Sequence, residues 1–208
     1  MKVPSRILPA VLMLLSSAAS AQIPAMPFFE KGMSSAGLLL GSVRPTATDG
    51  FDRAARSGPG LGVQYLYYPW DWAALGAELD YLKFGKGSQG SAEAKVLSVL
   101  ARVNLLQERS WTPFVTGGVG YHLFDLTASV PAGTCAPLLS SCDAGKGSSA
   151  GLATTAGGGV EAFLFRGMSL SLETRWQGFD LDPKKFSGRA EALSILVGAR
   201  FWFGLVPR

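Results

Sequence analysis

From Ser34 to Phe203 the chain is a succession of short segments in which apolar and polar residues alternate with period two, the pattern of strands that show unlike environments on their two faces. Met168–Phe179 shows it most clearly. Ser169, Ser171, Glu173, Arg175 and Gln177 fall on one face, and Leu170, Leu172, Thr174 and Trp176 on the other. Ala74–Phe84 sets Glu78 and Asp80 against Leu75, Ala77, Leu79 and Tyr81. Gly60–Tyr68 sets Gln64 against Leu61, Val63, Tyr65 and Tyr67. The last strand, ending at Phe203, carries Leu193, Ile195, Val197, Ala199 and Phe201 opposite Ser194, Gly198 and Arg200. Ala92–Leu106 places Leu97, Val99, Ala101, Val103 and Leu105 on one side, with Ser98, Arg102 and Asn104 on the other. Ser34–Val43, Pro113–Asp125 and Ala150–Phe165 are Gly-rich and complete a predicted set of eight strands.

The links between these strands alternate in length. Those after the second, fourth and sixth are short: Pro69–Trp72, Gln107–Trp111 and Arg166–Gly167. Those after the first, third, fifth and seventh are longer: Arg44–Pro59, Gly85–Ser91, Leu126–Ser149 and Asp180–Arg189. Tight turns at one end and longer loops at the other are the pattern of an up-and-down barrel in an outer membrane.

Composition agrees. Only 16% of the 208 residues are charged, against roughly 25% in soluble domains, and mean hydropathy is positive. After the first twenty residues no apolar run approaches the roughly 18 residues of a membrane helix. Hydrocarbon admits only helices and closed barrels, because each unpaired backbone group there costs several kcal/mol. The predicted fold is therefore all-β, an eight-stranded antiparallel up-and-down transmembrane β-barrel.

The N-terminus is set apart. Lys2 and Arg6 precede an apolar stretch from Ile7 to Leu15, and Ala19-Ser20-Ala21 is a small-residue cleavage site. The reading is a signal peptide over 1–21, a short periplasmic segment over 22–33, a barrel over 34–203 and a tail over 204–208. Without Lys2 and Arg6, 17 basic residues face 15 acidic ones. That near-neutral balance, with no Lys/Arg cluster, argues against nucleic acid as a partner.

Three groups of residues are candidates for a role. Glu78, Asp80, Glu161 and Glu173 share the inward face with Arg102, Arg175 and Arg200. In a lumen only wide enough for side chains to fill, they are expected to pair as a charged network, the planar guanidinium fork suiting carboxylates. A narrow ion or solute path gated by the same pairs is the alternative. Catalysis by paired acids is disfavoured, because facing guanidiniums keep carboxylates ionised. Second, Trp70, Trp72, Trp111, Phe163, Phe165, Phe201 and Phe203 near the short turns, with Tyr81, Tyr121 and Phe124 towards the long loops, are expected to form two interfacial aromatic girdles. Third, Cys135 and Cys142 lie in the longest loop, where an oxidising export route favours a disulfide. His122, the only histidine, has no neighbouring serine, and Asp125 falls on the opposite face, so no catalytic residue is assigned. No metal site and no cofactor are expected.

Several segments resemble the small outer-membrane barrels of the OmpA transmembrane-domain, OmpX, OmpW and opacity-protein type. They are Trp111-Thr112-Pro113-Phe114-Val115-Thr116-Gly117-Gly118-Val119-Gly120-Tyr121, then Gly157-Gly158-Gly159-Val160-Glu161 with Leu170-Ser171-Leu172-Glu173-Thr174-Arg175-Trp176, and the closing Val197-Gly198-Ala199-Arg200-Phe201-Trp202-Phe203. The resemblance is to an architecture shared by barrels of diverse function. Two departures stand out. No periplasmic peptidoglycan-binding domain follows, and Gly204–Arg208 run past Phe203, where that family usually ends on an aromatic residue. The tail reads either as native or as a protease-site scar. The resemblance implies a monomer in outer-membrane lipid with a structural or surface-interaction role, the external loops meeting ligands. A small channel is the alternative, and a lipid-modifying barrel enzyme a remote one.

Overall fold

The computed structural model describes residues 31–46, 51–87, 90–106, 110–128, 146–165, 167–186 and 189–204. The expected signal peptide, most of the short N-terminal segment, Cys135 and Cys142 with the middle of their loop, and the tail beyond Gly204 lie outside the described residues.

The chain closes into a barrel of eight antiparallel strands. They are β1 (Ser34–Pro45), β3 (Gly58–Trp70), β4 (Ala73–Lys83), β6 (Gly90–Asn104), β7 (Trp111–Ala128), β8 (Lys146–Phe165), β9 (Met168–Phe179) and β10 (Ala190–Phe203). Each pairs with its chain neighbour, and β1 closes the circle by pairing with β10 from Ser34↔Phe203 to Pro45↔Ala192. Among the described residues no helix is long and apolar enough to cross a membrane.

Register sets the width. Partners traced from His122 run through Val96, Asp80, Gly62, Leu39, Gly198, Ser171 and Glu161 to Thr112. The trace returns to β7 ten residues from its start, a shear of ten. With eight strands this implies a tilt of roughly 41° and a backbone radius of roughly 8 Å. Such a lumen is filled by side chains. Inward glycines provide room where these are large: a Cβ on Gly62 would stand 2.6 Å from the Asp80 carboxylate.

Alternation sorts the two faces. Leu38, Leu79, Leu97, Val99, Val119, Leu152, Leu172, Ile195 and Val197 are each more than half exposed. Side chains one position along each strand are buried, among them Gln64, Glu78, Ser98, Glu173 and Arg200. A continuous apolar belt around a polar-centred interior inverts a soluble barrel and suits hydrocarbon outside.

Two features differ from the sequence reading. The first loop contains a one-turn helix, α1 (Phe51–Ala54), and β2 (Ala55–Arg56), which pairs with β5 (Gly85–Lys86) above the barrel rim. Elements this short leave no period to read. The β7–β8 hairpin is also longer than the alternation indicates, with pairing up to Thr127↔Lys146. Beyond Leu123 and Leu152 its outward positions are Asp125, Thr127, Ala150, Ser148 and Lys146, so the apolar–polar contrast that marks a strand in lipid fades.

Candidate functional site

The interior is layered, with charges in the middle. Glu161, on β8, accepts hydrogen bonds from Arg102 of β6, from Arg200 of β10 at 2.7 Å and from the Ser169 hydroxyl of β9. Arg102 also donates to Asn104 Oδ1 at 2.9 Å and lies 3.6 Å from the Phe114 ring centroid, a cation–π contact. Arg200 donates its other terminal nitrogen to Gln64 Oε1, and Gln64 Nε2 donates to Glu78 Oε2 at 2.6 Å. Glu78 takes a second bond from Arg175, which reaches Glu173 at 2.8 Å and Asp80 at 3.8 Å. Gln177 donates to Asp80 at 2.8 Å.

All seven charged residues named from alternation thus lie inside the barrel and belong to one connected network. Each is at most 3% exposed. The four carboxylates and three guanidiniums come from five strands, and partners such as Gln64 and Arg200 are 136 residues apart in sequence. An unpaired charge here would face a penalty of several kcal/mol, which the shared contacts, with Glu161 holding two arginines and Arg175 reaching more than one acid, offset. Among buried polar atoms, Arg175 Nε, Arg200 Nε and Asn104 Nδ2 have no partner among the described residues.

An apolar layer closes each side of the network. At the turn end Met33, Leu66, Tyr68, Ala74, Phe163 and Trp202 pack together. Trp202 stands 5.3 Å from the rings of both Tyr68 and Phe163. Its indole donates to Ser169 Oγ at 2.8 Å, which ties this layer to Glu161. The loop-end layer is larger and includes Val43, Leu82, Phe84, Val96, Phe124, Leu126 and Phe179 from the strands. Loops complete it: Phe51 of α1 packs edge-on against Phe84 and Phe124 at 4.9 and 5.7 Å, and Phe186 meets Phe124 at 5.9 Å.

These layers correct two assignments. Phe163 and Phe124 face inward, 4% and 0% exposed, and do not belong to the outer belts. Sequence reasoning missed the apolar layers because inward apolar residues beside outward ones, as in Tyr121–Phe124, blur the alternation. Trp70, Trp72, Trp111, Phe165, Phe201 and Phe203 do point outward near the turns, with Trp70 and Trp72 stacked at 5.9 Å. At the loop end Tyr121 is exposed, the Tyr81 hydroxyl donates to Glu93 at 3.0 Å, and Trp176 Nε1 donates to Glu191 at 3.3 Å. Apolar ring bodies with polar tips satisfied away from the belt suit an interface. From Trp111 to Tyr121 a tilted strand rises about 25 Å, the height of a membrane band.

His122 is fully buried, with Nδ1 3.1 Å from the Leu152 carbonyl and the ring edge-on to Phe179 at 5.4 Å. Its hydrogen-bond partner is a backbone oxygen, not a hydroxyl or an acid. Among the described residues no group of His, Cys, Asp and Glu could hold a metal.

No family model matches the chain, and no curated protein does. Solved structures do. The chain is similar to Neisserial surface protein A over 83% of its length and 98% of that chain, at 9% identity and a TM-score of 0.57. It is similar to Ail, the attachment invasion locus protein of Yersinia pestis, over 84% of its length and 100% of that chain, at 14% identity and a TM-score of 0.52. Ail has also been solved in complex with the heparin analogue sucrose octasulfate. For outer membrane protein OprG of Pseudomonas aeruginosa the values are 84% and 97%, 13% identity and a TM-score of 0.52. Closed strand order, outward apolar belt and these likenesses together give the chain the fold of the small eight-stranded outer-membrane β-barrels.

Proposed function

We propose that this chain is an exported protein of the bacterial outer membrane, a monomer in lipid, whose lumen is closed and whose role is structural or carried by its loop-end surface. One observation carries the reading: a connected charged network fills the middle of the lumen, with an apolar layer on each side of it. A solute path would have to breach all three. The network then acts as an internal brace, which leaves the loop-end surface to meet a partner. Binding of a sulfated sugar by Ail, a barrel of the same fold, is consistent with a loop-end surface that meets anionic ligands. A disulfide between Cys135 and Cys142 would staple the longest loop.

Single-channel conductance in planar bilayers tests this. The folded protein is expected to be silent, and the variant with Arg102, Arg175 and Arg200 all changed to Ala to be unstable or leaky. Reproducible steps from the unmodified protein that change with those residues would make it a channel.

A further inference from the structure

A row of outward side chains across β8, β9 and β10 has a gap at its centre. Thr154 pairs with Gly178, and Gly178 with Glu191, so the middle strand carries no side chain between two polar ones. One step towards the turns stands Trp176, whose ring leans back over the gap. A Cβ on Gly178 would stand 2.9 Å from that ring and 3.1 Å from the Thr154 hydroxyl. One step towards the loops, where β9 and β10 part, are Asp180 and Arg189, both exposed. These residues and Leu152 line an open cavity of about 240 Å³ in the outer wall of the barrel.

The walls of this notch are already held in place. The Trp176 indole donates to Glu191 Oε2 at 3.3 Å, which fixes ring and carboxylate relative to one another. The Asp180 amide donates to the Leu152 carbonyl at 3.0 Å, and the Asp182 amide to Ser149 Oγ at 2.8 Å, so the segment after β9 is tied to β8. A wall fixed in this way needs little further ordering when a ligand arrives.

Its chemistry is mixed in a particular way. One side is an exposed aromatic ring; Glu191 and Asp180 accept hydrogen bonds, Arg189 donates them, and the Thr154 hydroxyl does both. Phosphate or sulfate would meet two carboxylates against one guanidinium, and a quaternary ammonium would meet Arg189. A neutral sugar ring uses every part. Its C–H edges pack on the negative face of an indole. Its hydroxyls, donors and acceptors at once, suit neighbouring carboxylates and a guanidinium fork. The volume lies below the roughly 300 Å³ at which drug-sized sites begin, which suits one pyranose rather than a chain.

We propose that the notch at Gly178 binds a single neutral sugar ring, packed on Trp176 and hydrogen-bonded to Thr154, Asp180, Arg189 and Glu191. The sugar is either a free saccharide or the head of a glycolipid beside the wall. The inference rests on the reading that the loop end of the barrel meets partners, and it names the chemistry of one of them.

The test follows the Trp176 indole N–H resonance, assigned by its loss in Trp176→Phe, in the full mature chain folded in a polyoxyethylene detergent that carries no sugar. Folding of each variant is verified first by heat-modifiable migration; failure of the unmodified chain there sinks the barrel reading, not the notch. Methyl glycosides of glucose, galactose, mannose and N-acetylglucosamine are then titrated. At least one is expected to shift the resonance saturably at millimolar concentration. Gly178→Val, which fills the notch, should abolish the shift, and the milder Gly178→Ala should weaken it. Arg189→Gln should weaken binding roughly five-fold, the loss of about one hydrogen bond. No saturable shift with any of the four sugars overturns the proposal. So does an unchanged shift in both Gly178 variants, or a stronger response to tetramethylammonium than to the sugars. Nanodiscs then identify the source: a shift from a diacylglycerol carrying the same sugar assigns the site to a glycolipid, and a shift from the free glycoside alone assigns it to a soluble saccharide.

Discussion

Gln64 donates to Glu78 at 2.6 Å while its own carbonyl oxygen accepts from Arg200, so one neutral side chain joins the Glu161 cluster to the Arg175 cluster. An amide is suited to the position because it offers a donor to a carboxylate and an acceptor to a guanidinium at once. Gln64→Leu therefore strands both neighbours, and a loss of about 2–4 kcal/mol is expected. Urea unfolding of the protein inserted in vesicles measures it, and a loss under 1 kcal/mol would show that the two clusters stand independently.

Glu161 is the anchor of its cluster, holding two arginines and a serine. Glu161→Ala leaves Arg102 and Arg200 buried without their acid and should cost about 3–5 kcal/mol. Glu161→Gln keeps acceptors for both and should cost less. If the two substitutions proved equal, charge at this position would not matter.

The outward belt sets a depth scale. Val119 lies near its middle and Thr127 beyond it, on the same face of β7. Val119→Arg should destabilise the inserted barrel by about 2–4 kcal/mol, and Thr127→Arg by about 0–1 kcal/mol. Similar costs at the two sites would mean that the belt is not in hydrocarbon.

Two glycines on one strand make a matched pair. A Cβ on inward Gly120 would stand 2.6 Å from Ser98 Oγ and nearer still to the Leu97 carbonyl, whereas at outward Gly117 its nearest neighbour is the Thr155 carbonyl at 3.8 Å. Gly120→Ala should cost about 1–3 kcal/mol through overpacking, and Gly117→Ala should be neutral. Refolding yield and urea midpoint report both.

Phe51 is carried by a loop yet is wholly buried. Phe51→Ala removes the ring between Phe84 and Phe124 and is expected to cost about 3–5 kcal/mol locally. Amide hydrogen exchange should quicken at the loop ends of β4 and β7 while the turn ends stay protected. Uniform acceleration would show that the loop-end layer is not a separate unit.

Much of this architecture is legible in sequence, for one physical reason. Where lipid lies on one side and a polar network on the other, as at Leu75–Leu82 or Leu170–Gln177, period two is a direct record of the two environments. The record ends where both sides are apolar. Around Phe124 and Phe163 the inward layer is as hydrophobic as the belt, so their direction cannot be read. Partners are likewise hidden. Alternation says that Arg175 and Glu78 both face inward, but only the shear of the closed barrel brings residues 97 apart in sequence into contact. The Phe51 plug depends on a loop path that no local pattern encodes.

The charged layer also bears on how the barrel reaches its final form. A slip of one residue between two strands turns every side chain of the slipped strand to the other face. Here that would push Arg102, Arg175 or Arg200 into hydrocarbon and turn leucines into the lumen, at about 2–4 kcal/mol for each arginine near the bilayer midplane. Eight strands of similar composition have many nearly equivalent ways to zip together. The buried ions make those ways unequal in energy, so the network that fills the lumen also specifies the register in which the barrel can close.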